Sequence, residues 1–188
     1  NPSLEEATGA QIYVGGTQAI TSDFTTVLTD ALPLFLAIVV GLGFLALMLL
    51  FHSLVVPLTA AITSLLSFAA AMGITVAVFQ WGWLSGPLGV SGTGPIFPFL
   101  PIMVFAILFG LSMDYEVFIL SRVREDWLAS GDPTGSIVHG IAVSARVITA
   151  AALIMISVFA SFVLGDSPEI KMFGVGLAVA VALDATIV

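Results

Sequence analysis

Three ionisable side chains, Asp114, Glu116 and Asp184, stand inside stretches of sequence that are otherwise apolar. In the centre of a membrane span such a group costs about 2.5–3.5 kcal/mol on insertion scales, so packing alone does not account for it. Asp114 belongs to Gly110-Leu-Ser-Met-Asp114-Tyr115-Glu116-Val-Phe118. It precedes Arg122 by eight residues, roughly 12 Å of helix, which puts it in hydrocarbon between the midplane and the interface that the arginine marks. Gly110 and Phe118 fall one turn to either side of it on the same helix face. No Lys or Arg lies within any apolar stretch to hold the carboxyl ionised. The expectation is a buried carboxyl that takes up and releases a proton, with Tyr115 as its hydrogen-bond partner; this is the chemistry of a proton relay. The competing reading is an aspartate bonded to a neighbouring helix as structural glue.

Glu116 is rotated about 200° from Asp114 on a helix, so the two cannot line one groove. It is also nearer the interface, and a solvated position at the helix edge is expected for it. Asp184, in Leu183-Asp184-Ala-Thr-Ile-Val188, falls deep in the last apolar stretch. It is a candidate second relay carboxylate or a structural partner for a basic residue, with the two readings open. An intramembrane aspartyl protease built on Asp114 and Asp184 would need two carboxyls sharing a proton. The Gly-x-Gly-Asp and Pro-Ala-Leu strings of that chemistry are absent, with Ser112 in place of the second glycine, and no enzyme is expected. His52 and His139 read as solvated turn residues.

The elements that must position these groups follow from composition. Of 188 residues, 59% are hydrophobic and 9% charged, against roughly a quarter charged in soluble domains. Lipid must therefore be part of the solvent. About 20 apolar residues span the hydrocarbon as a helix. Five stretches qualify: 32–51, 54–79, 97–121, 147–164 and 172–188, the last cut short. Backbone amides in lipid must be bonded internally, so these are helices. The reading is an all-α polytopic membrane protein. Gly41, Gly43, Ala69 to Ala71, Gly73, Gly174 and Gly176 are expected to let the helices approach closely. Residues 1–31 are polar at the start, with a short strand expected at Gln11–Gly16 and helical character from Thr17 to Asp30. They read as the tail of a domain outside the membrane. The chain begins without Met and ends within an apolar helix, and is expected to be a fragment.

Half of the formal net charge of −8 comes from this arm, which holds Glu5, Glu6, Asp23 and Asp30 and no basic residue. With four basic residues and no basic patch, nucleic acid is not an expected partner. Three of the four (Arg122, Arg124 and Arg146) flank 121–146, which makes that segment a cytoplasmic loop by the positive-inside rule. The His52-Ser53 turn is then cytoplasmic, and the N-terminal arm and the loops 80–97 and 165–171 are external. Trp81 and Trp83 fit a headgroup-level anchor. Lys171 is the exception, a basic residue on the external side.

The string Phe105-Ala-Ile-Leu-Phe-Gly110-Leu-Ser-Met-Asp114-Tyr115-Glu116-Val-Phe-Ile-Leu-Ser-Arg122-Val-Arg124-Glu125 resembles the signature of the MMPL family, transporters of the resistance–nodulation–division (RND) superfamily. Phe79-Gln-Trp-Gly-Trp83, Ala145-Arg146-Val-Ile-Thr-Ala-Ala-Ala-Leu-Ile154 and Leu183-Asp-Ala-Thr-Ile-Val188 agree with it in order and spacing. The Asp-Tyr-Glu form resembles the second half of the family's two-fold repeat. The resemblance implies a chain from the C-terminal half: 1–31 the end of an external α/β porter domain with its connecting helix, and 32–188 a transmembrane domain of five spans in an RND-type half-bundle. It implies proton-driven export of lipids or other hydrophobic molecules across the plasma (inner) membrane, powered by the proton gradient with no cofactor. It also implies that Asp114 and Tyr115 work opposite a matching pair in a missing N-terminal half. Membrane lipids surround the bundle. The alternative on the same fold is a non-transporting lipid-sensing or scaffold domain.

Overall fold

A computed structural model describes residues 15–84, 86, 88, 89 and 93–187. The arm up to residue 14, and with it nearly all of the strand expected at Gln11–Gly16, lies outside the described residues. Among the described residues five α-helices follow in order: α1 Thr17–Phe51, α2 Val55–Phe79, α3 Leu100–Ser130, α4 Pro133–Ser161 and α5 Pro168–Ile187, with a 3-10 turn Phe162–Leu164 between the last two. Among the described residues there is no strand. The first four helices are long and apolar enough to cross a membrane, and the chain is an integral membrane protein.

The expected boundaries at Phe51 and Phe79 hold, because His52 and Gln80 sit at genuine turns. His52 takes a left-handed conformation at φ 49° and returns its N–H to the Met48 carbonyl. The segment 121–146 is a correction: it is not a loop. α3 runs on to Ser130 and α4 begins at Pro133, so all but two of those residues are helical. Gly131, at φ 71°, turns the chain, and the Asp132 side chain accepts from the Thr134 N–H to cap α4 just before Pro133. Polar sequence here meant helix beyond the apolar stretch, and His139 lies within α4. The helix that carries the apolar stretch 147–164 starts fourteen residues before it, at Pro133, and stops at Ser161.

α5 is the central element and packs against α2, α3 and α4, while among the described helices α1 packs against α2 and α3. The core is built where α2, α3 and α5 meet, from Ala71, Val78, Phe79, Leu100, Val104, Leu108, Val175 and Ala180. Phe105 is wholly buried at the α1–α2–α3 junction, stacked on Phe109 and edge-on to Phe35 and Phe68. Small residues admit these contacts, as expected of helices in lipid. A Cβ on Gly174 would stand 2.8 Å from the Phe159 carbonyl oxygen, and one on Gly43 would meet Met113 and Phe109. Gly41 and Gly73, expected to pack likewise, face open space in this chain. Gly140 supplies a contact that its isolated position did not suggest. A Cβ there would meet the Val123 backbone at 3.0 Å, so α3 and α4 touch main chain to main chain.

At the end of the bundle opposite the arginines, Trp81 and Trp83 are exposed and edge-on to each other at 5.9 Å. Lys171 reaches from α5 to donate to the carbonyls of Leu88 and Gly89, at 3.1 and 2.9 Å. That staple gives the lone basic residue of this end a structural occupation.

Candidate functional site

α3 brings its polar residues to two different faces, because consecutive positions turn by about 100°. Ser112 and Tyr115 are buried in the bundle, and Glu116 is half-buried on that side. Asp114 is exposed. The expectation of a buried Asp114 is therefore corrected for this chain. Its side chain lies on a stripe with Gly110 and Ala106, also exposed, one and two turns away. No other described element covers that stripe. The expected bond between Asp114 and Tyr115 is not made either, since the buried Tyr115 hydroxyl has no hydrogen-bond partner among the described residues.

The buried carboxyl is Asp184. It has no exposed surface at all, and neither carboxyl oxygen has a partner of hydrogen-bonding geometry among the described residues. It faces α3, where the Ser112 hydroxyl lies beside it and Glu116 and Tyr115 are near enough to feel its charge. Ser64 of α2 donates to the Ser112 Oγ at 3.0 Å, which ties α2 to α3 and leaves the Ser112 proton free for Asp184. Ser67, one turn further along α2, is also wholly buried with an unpartnered hydroxyl. Glu116 is the second correction: it is not a solvated edge residue, because one of its carboxyl oxygens is buried and unpartnered. Its rotation away from Asp114, expected from helix geometry, is what turns it inward.

The arrangement is thus a buried polar cluster, with two carboxyls, a phenol and the Ser64–Ser112 hydroxyl pair, and with no Lys or Arg ion-paired to it among the described residues. A carboxylate so placed needs either a proton or a cation, since an unpaired buried charge is strongly unfavourable. Tyr115 lies within reach of both Asp184 on its inner side and Asp114 on its outer side. Ser64 and Ser67 were not singled out in the sequence, although their spacing of three places them on one helix face.

The model of the MMPL family matches residues 2–188. The chain belongs to the MMPL family. It is 42% identical over 186 residues to the membrane protein YdfJ of Bacillus subtilis, covering 99% of this chain and 26% of YdfJ. It is 43% identical over 182 residues to the heme uptake protein MmpL11 of Mycobacterium tuberculosis, covering 97% of this chain and 19% of the relative. The trehalose monomycolate exporter MmpL3 of Mycolicibacterium smegmatis is 36% identical over 186 residues, covering 99% of this chain and 18% of MmpL3. The chain therefore spans about a quarter or less of the length of these curated MMPL relatives, and the resemblance read from the Asp-Tyr-Glu string stands.

Proposed function

We propose that this chain is part of the C-terminal half of a proton-driven transporter that moves lipids or other hydrophobic molecules. On this reading α5 completes a fifth span, the arginine-bearing end is cytoplasmic, and residues 1–31 lead down from an external porter domain. The observation that carries the reading is the position of Asp114, a carboxyl halfway along an apolar helix on a face that none of the described residues covers. A second half lying against the Ala106–Gly110–Asp114 stripe would bury it, and the small residues there permit close approach. Asp114 would then accept a proton from the outer side and release it inward as the halves rock. Each proton supplies about 2.3 kcal/mol per 100 mV, enough to bias a two-state equilibrium by more than tenfold. Tyr115 is the natural link from Asp114 to the inner pocket, where Asp184 serves as the second proton-holding carboxyl. The relatives named for heme and for trehalose monomycolate both handle large amphiphiles, which supports a substrate of that class.

The test is transport by the full-length protein in proteoliposomes carrying a pH gradient, with wild type set against Asp114→Asn. Asn retains size and hydrogen bonding but cannot titrate. Loss of gradient-dependent transport with folding and insertion intact supports the relay. Unchanged transport overturns it, and points to another energy source or to a lipid-sensing or scaffold role.

A further inference from the structure

The end of the bundle that carries the arginines holds a groove of about 500 Å³ between the α1–α2 turn and the outer part of the α3–α4 hairpin. Its walls include Val56, Leu120 and Val123, and its rim carries His52, Arg124 and Trp127. We propose that this groove binds an anionic phospholipid of the adjoining leaflet, with an acyl chain on the apolar wall and the headgroup phosphate on Arg124.

The charges decide the class of ligand. Arg122 is paired with Glu125 at 3.0 Å, and Asp126 faces His139 at 3.8 Å. Both carboxylates of this stretch are thereby turned to other partners, and neither lines the groove. Arg124 has no carboxylate within bridging distance among the described residues. One of its N–H groups donates to the Leu50 carbonyl at 3.2 Å, which fixes the guanidinium at the groove. A guanidinium has five donors, so four remain to meet a phosphate.

The surroundings decide its source. Leu54, Val55 and Leu58 beside the groove are 64%, 69% and 53% exposed, a surface suited to acyl chains and not to water. Arg and Trp together at a helix end mark the headgroup level, and basic pockets between spans at that level suit anionic headgroups. A free phosphate would use Arg124 but not the apolar wall. The inference requires only that the helices cross a bilayer; it does not depend on proton coupling.

The experiment places the full-length protein in phosphatidylcholine nanodiscs doped with photoreactive phosphatidylglycerol or, separately, photoreactive phosphatidylcholine, and maps the labelled peptides. Phosphatidylglycerol is expected to label residues 51–56 and 120–127 in preference to phosphatidylcholine. Arg124→Gln should lower that labelling about fivefold, the size expected for one basic residue at a membrane surface. Arg124→Lys should restore most of it, and Val56→Trp, which fills the groove, should reduce labelling by both lipids. Equal labelling by the two lipids in the wild type overturns the proposal, as does labelling confined to other peptides. Competition by millimolar inorganic phosphate would also overturn it, in favour of a free-anion site. Transport is not the readout, so failure here and failure of the proton-driven reading remain separate.

Discussion

Asp184→Ala removes the one ionisable side chain that is completely buried among the described residues. If Asp184 is retained for proton handling, the fold is more stable without it. Relief of the insertion cost amounts to about 2.5–3.5 kcal/mol for an aspartate at span centre. Against this, the substitution leaves a void the size of one carboxyl, which at about 24 cal/mol per Å³ costs on the order of 1 kcal/mol. No hydrogen bond of good geometry to the carboxyl oxygens is lost among the described residues, and the Ser64–Ser112 bond persists. The expected net effect is a gain of about 2 kcal/mol in stability together with loss of gradient-driven transport. Unfolding of the purified protein by SDS in mixed micelles, followed by tryptophan fluorescence, measures the first, and proteoliposome flux measures the second. A structural anchor behaves in the opposite way, since breaking a buried charge from its partner destabilises by about 3–5 kcal/mol. A loss of that size would refute the reasoning and make Asp184 an element of the scaffold.

Two further outcomes follow from the packing. Gly174→Ala and Gly73→Ala gain the same helix propensity, so their difference isolates the contact that Gly174 makes with the Phe159 carbonyl. SDS unfolding of the 188-residue chain should separate them by about 1–3 kcal/mol, the usual cost of overpacking; equal stabilities would contradict the close approach of α5 to α4. Lys171→Met removes two hydrogen bonds to the Leu88 and Gly89 carbonyls. Amide exchange across residues 84–89 should accelerate at least several-fold, as expected for losing about 1 kcal/mol or more of local stability, while α2 and α3 stay protected.

The helices were legible because apolar length is a direct consequence of bilayer thickness, and the ends at Phe51 and Phe79 were sharp because polar turn residues follow at once. The stretch 121–146 was misread for the same reason: a rule about hydrocarbon stops informing where the hydrocarbon stops. Local signals for the hairpin were nonetheless present in Gly131-Asp132-Pro133, a helix stop, a cap and a helix-opening proline in succession. At the site, helix geometry correctly separated Glu116 from Asp114 but could not say which of the two faced inward. That choice belongs to the neighbours of α3, and periodicity is blind to it when apolar residues surround the helix on every side. Asp184 was found by its chemistry. Its serine neighbours were missed because single hydroxyls are common in spans and acquire meaning only when three helices bring them together.

The first helix also has mechanical meaning. Its 35 residues amount to about 52 Å, some 20 Å more than the hydrocarbon is thick. Unlike a loop, a continuous helix has no slack, so displacement at one end must appear at the other. The shaft does carry one weak point: Pro33 lies within it, where the ring leaves the Thr29 carbonyl without its usual helical donor. The helix is therefore easiest to bend at the junction between its threonine-rich N-terminal segment and the apolar stretch. α1 is thus a stiff shaft with a single compliant point, and a bend at Pro33 would swing its N-terminal segment relative to the apolar one.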